Sequence, residues 1–234
     1  MKQARGSLPL YLQLVELLVR DIAAGRLQDG EKLPPERDMA NDLGVAVGTL
    51  RKALAELDIR GLLQRIQGSG NYIRAQASPR SVYSLFRLEL LEGGGLPTAQ
   101  VLGVERLRKP DDLPRFGAGD FAHRIRRLRF LSGKAAAMEE IWLDAGLAPD
   151  LVAEDLSESL YLFYRMRLGL WIEKAEDVIG QSPVPDWRPA GFGPPCAAPL
   201  PHIVRRSFAQ DGSVPEVSQT WYDPQIARYV SRLR

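Results

Sequence analysis

The sequence predicts an α+β protein in two parts, a short helical unit closed by a hairpin and then an antiparallel sheet with flanking helices. Three observations predict it. Apolar residues recur at helical spacing in three early segments, most clearly at Leu50, Ala53, Leu54 and Leu57. Two short strand-like runs follow, joined by Gly68-Ser69-Gly70. Beyond a small, polar, Pro-containing stretch the pattern changes to alternation, as in Ile203, Arg205 and Ser207 against His202, Val204 and Arg206.

The first helix is expected over Pro9 to Ala24. Leu10, Leu14, Leu17, Leu18 and Ile22 share one face, and Gly25 closes it. Pro34 and Pro35 fit only the first turn of a second helix, where a missing N–H costs nothing. Glu36 and Asp38 follow where the helix dipole favours negative charge. Met39, Ala40 and Leu43 form its apolar face, and Gly44 permits the positive φ that ends it. The third helix, Val47 to Arg60, buries the Leu50 face and leaves Thr49, Arg51 and Lys52 beside or opposite it. Hydroxyl, guanidinium and ammonium groups are those that bond phosphates and base edges.

Leu62–Gln67 and Asn71–Arg74 then read as a hairpin carrying Arg65 and Arg74, with glycines at its tip that allow close approach to a phosphate backbone or groove. Three helices and a β-hairpin make a winged helix-turn-helix, which inserts a helix into the DNA major groove. Residues 33–57 alone would also suit an αα-hairpin with a solvated charged face. The flanking helix and wing argue for DNA.

Composition narrows the class. No apolar run approaches the ~20 residues of a membrane span, and no signal-peptide core precedes the first helix. Cys196 has no intrachain partner, so a reducing cytoplasm is expected and the thiol is read as an ordinary one. Residues 1–75 hold 11 Lys/Arg against 9 Asp/Glu, and the rest balance at 20 each, so the whole net charge of +2 lies in the proposed DNA module. So small an excess implies a local basic face and dimerisation rather than gross charge. His123 and His202 are isolated, and Gly93-Gly94-Gly95 lacks a phosphate-loop spacing. No cofactor, metal site or catalytic set is expected.

In the second part, Ser84–Leu91, Val101–Arg108, Ala122–Leu131, Ala136–Leu143, Trp171–Ile179, Pro201–Ala209 and Val214–Tyr222 read as strands. Ser159–Leu168 and Gln225–Leu233 read as helices. Alternation puts Arg127 and Arg129 on one face of their strand, and Arg124 and Arg126 on the other. Adjacent Glu139 and Glu140 likewise point opposite ways. The Pro- and Gly-rich stretch 183–199 is expected to shape a pocket entrance or a dimer contact.

The first third of the chain resembles the GntR-type bacterial transcription regulators. The resemblance rests on Pro9-Leu10-Tyr11-Leu12-Gln13-Leu14, Gly30-Glu31-Lys32-Leu33-Pro34-Pro35-Glu36-Arg37, Thr49-Leu50-Arg51-Lys52-Ala53-Leu54, Gly61-Leu62-Leu63 and the wing Gln67–Ile73. Ala46-Val47 stand where that family commonly has Ser-Arg or Ser-Val. Residues 83–234 resemble the UTRA sensor domain of the HutC subgroup, with a chorismate lyase-like fold. Arg127-Leu128-Arg129, Ala137–Leu143, Ser159-Leu160-Tyr161 and Glu216–Tyr222 carry that likeness. Asp223-Pro224 replace the Arg-Gly-Asp often found after the last.

The resemblance implies a DNA-binding domain over 1–74, a linker over 75–82 and an effector-binding, dimerising domain over 83–234. Arg37, Thr49, Arg51 and Lys52 would contact DNA, with Gly68, Ser69 and Gly70 entering the adjacent minor groove. Arg127 and Arg129 would fork onto a carboxylate or phosphate. Ser159, Tyr161, Glu139, Glu216 and Tyr222 would complete an effector pocket, with Phe86 from the preceding strand. Plainer roles stand beside these: salt bridges for the arginines, an N-cap for Ser159 and core packing for Tyr222. The expected function is a homodimeric repressor whose hold on operator DNA responds to a small anionic metabolite. An enzyme with a chorismate lyase-like domain, or a DNA-binding module with no effector, are the alternatives.

Overall fold

A computed structural model describes residues 9–75, 85–156 and 159–232. The chain forms two compact units, the first built on residues up to Phe86 and the second on Arg87–Ser231. The linker expected over 75–82 lies outside the described residues apart from Ala75, whose N–H donates to Asp29 at 2.8 Å.

The first unit contains α1 (Leu10–Ala23), α2 (Glu36–Asp42), α3 (Val47–Ile59) and the antiparallel pair β1 (Leu63–Ile66) and β2 (Gly70–Ile73). Pro35 is the N-cap residue of α2, and Glu36 and Asp38 occupy its first turn. Gly44, at φ +65°, turns the chain from α2 towards α3. Leu50, Ala53, Leu54 and Leu57 are all buried, packing with Leu14, Leu18, Leu62 and Ile73 in one core. Each such large side chain contributes roughly 1.5–3 kcal/mol by leaving water. The expected helix-turn-helix and wing are therefore present.

The second unit opens with β3 (Leu88–Leu90), β4 (Pro97–Arg108), β5 (Phe121–Leu131) and β6 (Lys134–Asp144). After α4 (Leu160–Phe163) and a π-turn over Tyr164–Leu168 come β7 (Ile172–Pro183), β8 (Pro199–Ala209), β9 (Glu216–Tyr222) and β10 (Ala227–Tyr229). Six strands form an antiparallel sheet in the order β4-β5-β6-β9-β8-β7, and β10 pairs with β3 in a separate ribbon. One sheet face carries Ile125, Ile141 and Leu143 against Leu160, Phe163 and Tyr164. The other carries Leu128, Met138, Leu200 and Trp221 against Val184 and Phe192.

Three expectations need correction. Gln225–Leu233 is not a helix: it holds a turn and β10, because Ala227–Tyr229 finds a partner in Leu88–Leu90. Leu233 itself lies outside the described residues. The strand expected over Ser84–Leu91 is confined to Leu88–Leu90, with Ser84 outside the described residues. The 183–199 stretch packs Val184 and Phe192 on the sheet face opposite Arg127 and Arg129, so it roofs a core instead of shaping the entrance to that site. Among the described residues, no helix is long and apolar enough to cross a membrane.

Candidate functional site

The buried stripe of α3 forces Arg51 and Lys52 outward, and both are exposed, while Thr49 is half-buried and Arg37 of α2 is exposed. Arg51 Nε donates to Glu36 Oε2 at 2.6 Å, and Arg65 Nη2 donates to the Arg51 carbonyl at 3.2 Å. The Arg51 hydrogen bond holds the Glu36 carboxyl below its ordinary range. Between the start of α2 and the wing runs a groove of about 740 Å³, lined among others by Lys32, Glu36, Arg65, Gly68 and Asn71. At the wing tip, the Ser69 and Tyr72 hydroxyls share a 2.7 Å hydrogen bond. Cationic groups from α3 and the wing thus sit beside an open groove, as a polyanionic backbone requires.

In the second unit, strand register gathers a polar row on the sheet face beneath α4. Arg127 lies opposite Glu139, Glu139 opposite Thr220, Ser207 opposite Glu216, and Asp177 opposite Arg205. Arg127 Nη2 donates to Glu139 Oε2 at 2.7 Å, and Arg129 Nη2 donates to the same oxygen at 3.1 Å. All three side chains are buried. Burial alone would raise the Glu139 pKa, but the two guanidiniums hold it at about 2. Burial lowers the Arg127 pKa in spite of Glu139.

Tyr164 Oη donates to Glu216 Oε2 at 2.5 Å, and Ser207 Oγ donates to Glu216 Oε1 at 2.8 Å. Tyr161 Oη lies 2.9 Å from Ser207 Oγ and donates to Glu216 at 3.4 Å. Burial pushes the Glu216 carboxyl up against these bonds. Burial and the nearby Glu216 charge push the Tyr161 phenol up to about 12. These buried charges are held by fixed donors and acceptors in one hydrogen-bonded row.

The other expected residues fall as follows. Ser159 is buried and caps α4, its hydroxyl accepting from Leu162 N at 3.4 Å. Tyr222 is buried, and alternation along β9 puts it on the Glu216 face. Glu140 points to the opposite face, where it accepts from Arg126 Nε at 2.7 Å. Phe86 belongs to the first unit, with its ring under the Arg20 guanidinium of α1 at 5.1 Å, which corrects its assignment to the effector group. Sequence reasoning missed Tyr164, Asp177, Arg205 and Ser207. Tyr164 is three residues from Tyr161 and could have been found by helical spacing. The others needed the register.

A winged helix with outward-facing cations, followed by an antiparallel-sheet unit, defines the class of a DNA-binding regulator with a second, sheet-based domain. Comparisons with known proteins agree. The profile described as "Bacterial regulatory proteins, gntR family" matches residues 10–73, and "UTRA domain" matches 92–228. The chain is 63% identical over 234 residues to the HTH-type transcriptional regulator SmoD of Agrobacterium fabrum, covering 100% of both. It is 29% identical over 227 residues to the Mannosyl-D-glycerate transport/metabolism system repressor MngR of Escherichia coli, covering 93% of each. Its fold resembles that of the possible transcriptional regulator YydK from Bacillus subtilis, with TM-score 0.54 and 20% identity over 97% of this chain and 100% of that one. The chain belongs to the GntR family of bacterial regulatory proteins, in the UTRA-bearing HutC subgroup. It is a transcriptional regulator with a DNA-binding and an effector-binding domain, not an enzyme.

Proposed function

We propose that this regulator is a homodimeric cytoplasmic repressor, released from or tightened on its operator by a small carboxylate- or phosphate-bearing metabolite at Arg127 and Arg129. The observation that carries this reading is the buried cluster in which both guanidiniums share the Glu139 carboxylate. Charges are expensive to bury, and fork-shaped donors held rigid in a dry site suit a planar or tetrahedral anion. Ser159, Tyr161, Glu216 and Tyr222 complete the proposed site, joined by Tyr164 and Ser207, whose hydroxyls donate to Glu216. The name of MngR supports an acidic effector, since mannosyl-D-glycerate bears a carboxylate.

Operator contacts come from Arg37, Thr49, Arg51 and Lys52, with Gly68, Ser69 and Gly70 at the minor groove. A second copy would place two such units on half-sites about one helical turn apart. Val178 and Ile179, exposed on the edge strand β7, offer that copy an apolar edge. The linker at 75–82 would carry the response, provided that the ligand prefers one arrangement of the dimer.

A thermal-shift screen of organic acids, amino acids and sugar phosphates tests the reading, because a ligand of the native state raises apparent stability. Hits are then added to a titration with the upstream DNA of the protein's own gene. The reading expects an acidic hit that changes DNA affinity in wild type but not in Arg127→Ala. A hit that acts equally on Arg127→Ala contradicts the site.

A further inference from the structure

The opposite face of the sheet repeats the Arg127–Glu139 pattern one residue along. Arg126 lies opposite Glu140 as Arg127 lies opposite Glu139, and alternation turns the two pairs to opposite faces. The β4–β5 register slips at Leu102, so Gly103 falls opposite Arg126 and Glu105 opposite Arg124. Such a bulge re-aims the side chains around it. A Cβ at Gly103 would meet nothing within 4 Å. What remains there is a cavity of about 210 Å³ lined by Leu102, Gly103, Glu105, Arg124, Arg126 and Trp187.

Its walls are held in place. Arg126 Nε donates to Glu140 Oε2 at 2.7 Å, and the other Glu140 oxygen accepts from Trp142 Nε1 at 3.0 Å. The Arg126 guanidinium stands 4.6 Å over the ring of Trp187, which meets the buried Trp221 edge to face. Arg124 Nη2 donates to Glu105 Oε2 at 2.7 Å. Among the described residues, Arg126 makes side-chain hydrogen bonds through Nε alone and Arg124 through Nη2 alone. Each guanidinium therefore keeps further N–H donors beside the cavity.

We propose that this cavity is a second ligand site, separate from the effector cluster, and that it takes a small carboxylate. Two planar guanidiniums on one strand face suit that group, which accepts paired N–H bonds. Glu105 is exposed, and an exposed ion pair contributes little, so a ligand carboxylate takes its place on Arg124 at small cost. The volume lies below that of pockets for drug-sized molecules, which confines the ligand to a small acid. Trp187 gives the 183–199 stretch a part in binding on this face.

Fluorine NMR of the full-length protein labelled with fluorotryptophan tests the site, with the Trp187 signal assigned by its loss in W187F. Acetate and malonate are titrated at constant ionic strength against chloride. A saturable shift of the Trp187 signal is expected in wild type. R124Q leaves the exposed Glu105 without its partner, so the protein should stay folded while half-saturation needs about tenfold more acid or higher. G103V fills the cavity from a strand position that suits a β-branched residue, and should abolish the saturable shift. R127A alters the other face and should leave the response in place, whatever becomes of the effector reading. A shift that never saturates in wild type, or that saturates equally in wild type, R124Q and G103V, overturns the proposal. So does a response lost in R127A and kept in R124Q, which would put the acid on the effector face.

Discussion

Arg127 and Glu139 face one another across β5 and β6, and the Arg127 guanidinium donates to the Glu139 carboxylate at 2.7 Å in a buried site. Removing one member of such a cluster leaves buried charge without its counterpart. Glu139→Gln is therefore expected to cost about 3–5 kcal/mol at neutral pH, measured by denaturant unfolding.

The same carboxylate should govern acid stability. Its pKa lies at about 2 in the folded protein against an ordinary value of 4.5. A depressed folded pKa stabilises above the unfolded value, so this contribution is complete above about pH 5 and fades as pH falls towards 2. The shift corresponds to roughly 3 kcal/mol. Unfolding free energies at pH 7 and pH 3 should differ more in wild type than in Glu139→Gln, because only wild type loses this contribution on acidification. An identical pH dependence in the two proteins would count against the pairing.

Arg51→Ala should separate DNA binding from folding. Its ion pair with Glu36 is largely solvent-exposed on the arginine side, so stability should change by less than about 1 kcal/mol. Operator affinity should fall by about 1–3 kcal/mol if the guanidinium reads a base edge. If it meets a phosphate, the slope of log affinity against log salt should shrink by about one. Anisotropy titrations at three salt concentrations distinguish these. Wild-type affinity and slope together would remove Arg51 from the interface.

Phe192→Ala should destabilise by roughly 3–5 kcal/mol, because the ring is fully buried against Leu128, Met138 and Trp221. Ligand affinity in the remaining folded protein should be preserved, since the ring packs on the other sheet face. A large loss of affinity with little loss of stability would return the 183–199 stretch to the pocket.

Gly117→Ala probes a close approach. A Cβ at Gly117 would lie 1.6 Å from Asp144 Oδ2, on a backbone held at φ +55°. Asp144 accepts from Lys109 Nζ at 2.8 Å and from Gly146 N at 2.7 Å, so it cannot yield without breaking both. A loss above about 2 kcal/mol is expected, read as a lowered midpoint in thermal unfolding.

The DNA-binding unit was legible because its signals are local. The i, i+3, i+4, i+7 spacing of Leu50, Ala53, Leu54 and Leu57 needs no distant partner, nor does the turn at Gly44. Alternation also sorted Arg127 and Arg129 from Arg124 and Arg126, and Glu139 from Glu140. What was not legible depended on pairing between distant segments. Gln225–Leu233 has helical spacing at Ile226 and Val230, yet Ala227–Tyr229 pairs with Leu88–Leu90, more than a hundred residues earlier. Asp177 and Arg205 become neighbours only through the β7–β8 register, so neither position announces itself in the sequence.

Control of DNA binding by an anion at the Arg127–Arg129 face is open to direct test. The most direct measurement is an anisotropy titration of the full-length protein on its own upstream DNA, with and without each acidic metabolite that stabilises it. At least one acid should shift operator affinity by about tenfold, a coupling near 1.4 kcal/mol, and its effect should disappear in Arg127→Ala while that variant's ligand-free affinity stays at the wild-type value. Operator affinity indifferent to every stabilising acid, or a response that survives in Arg127→Ala, would contradict it.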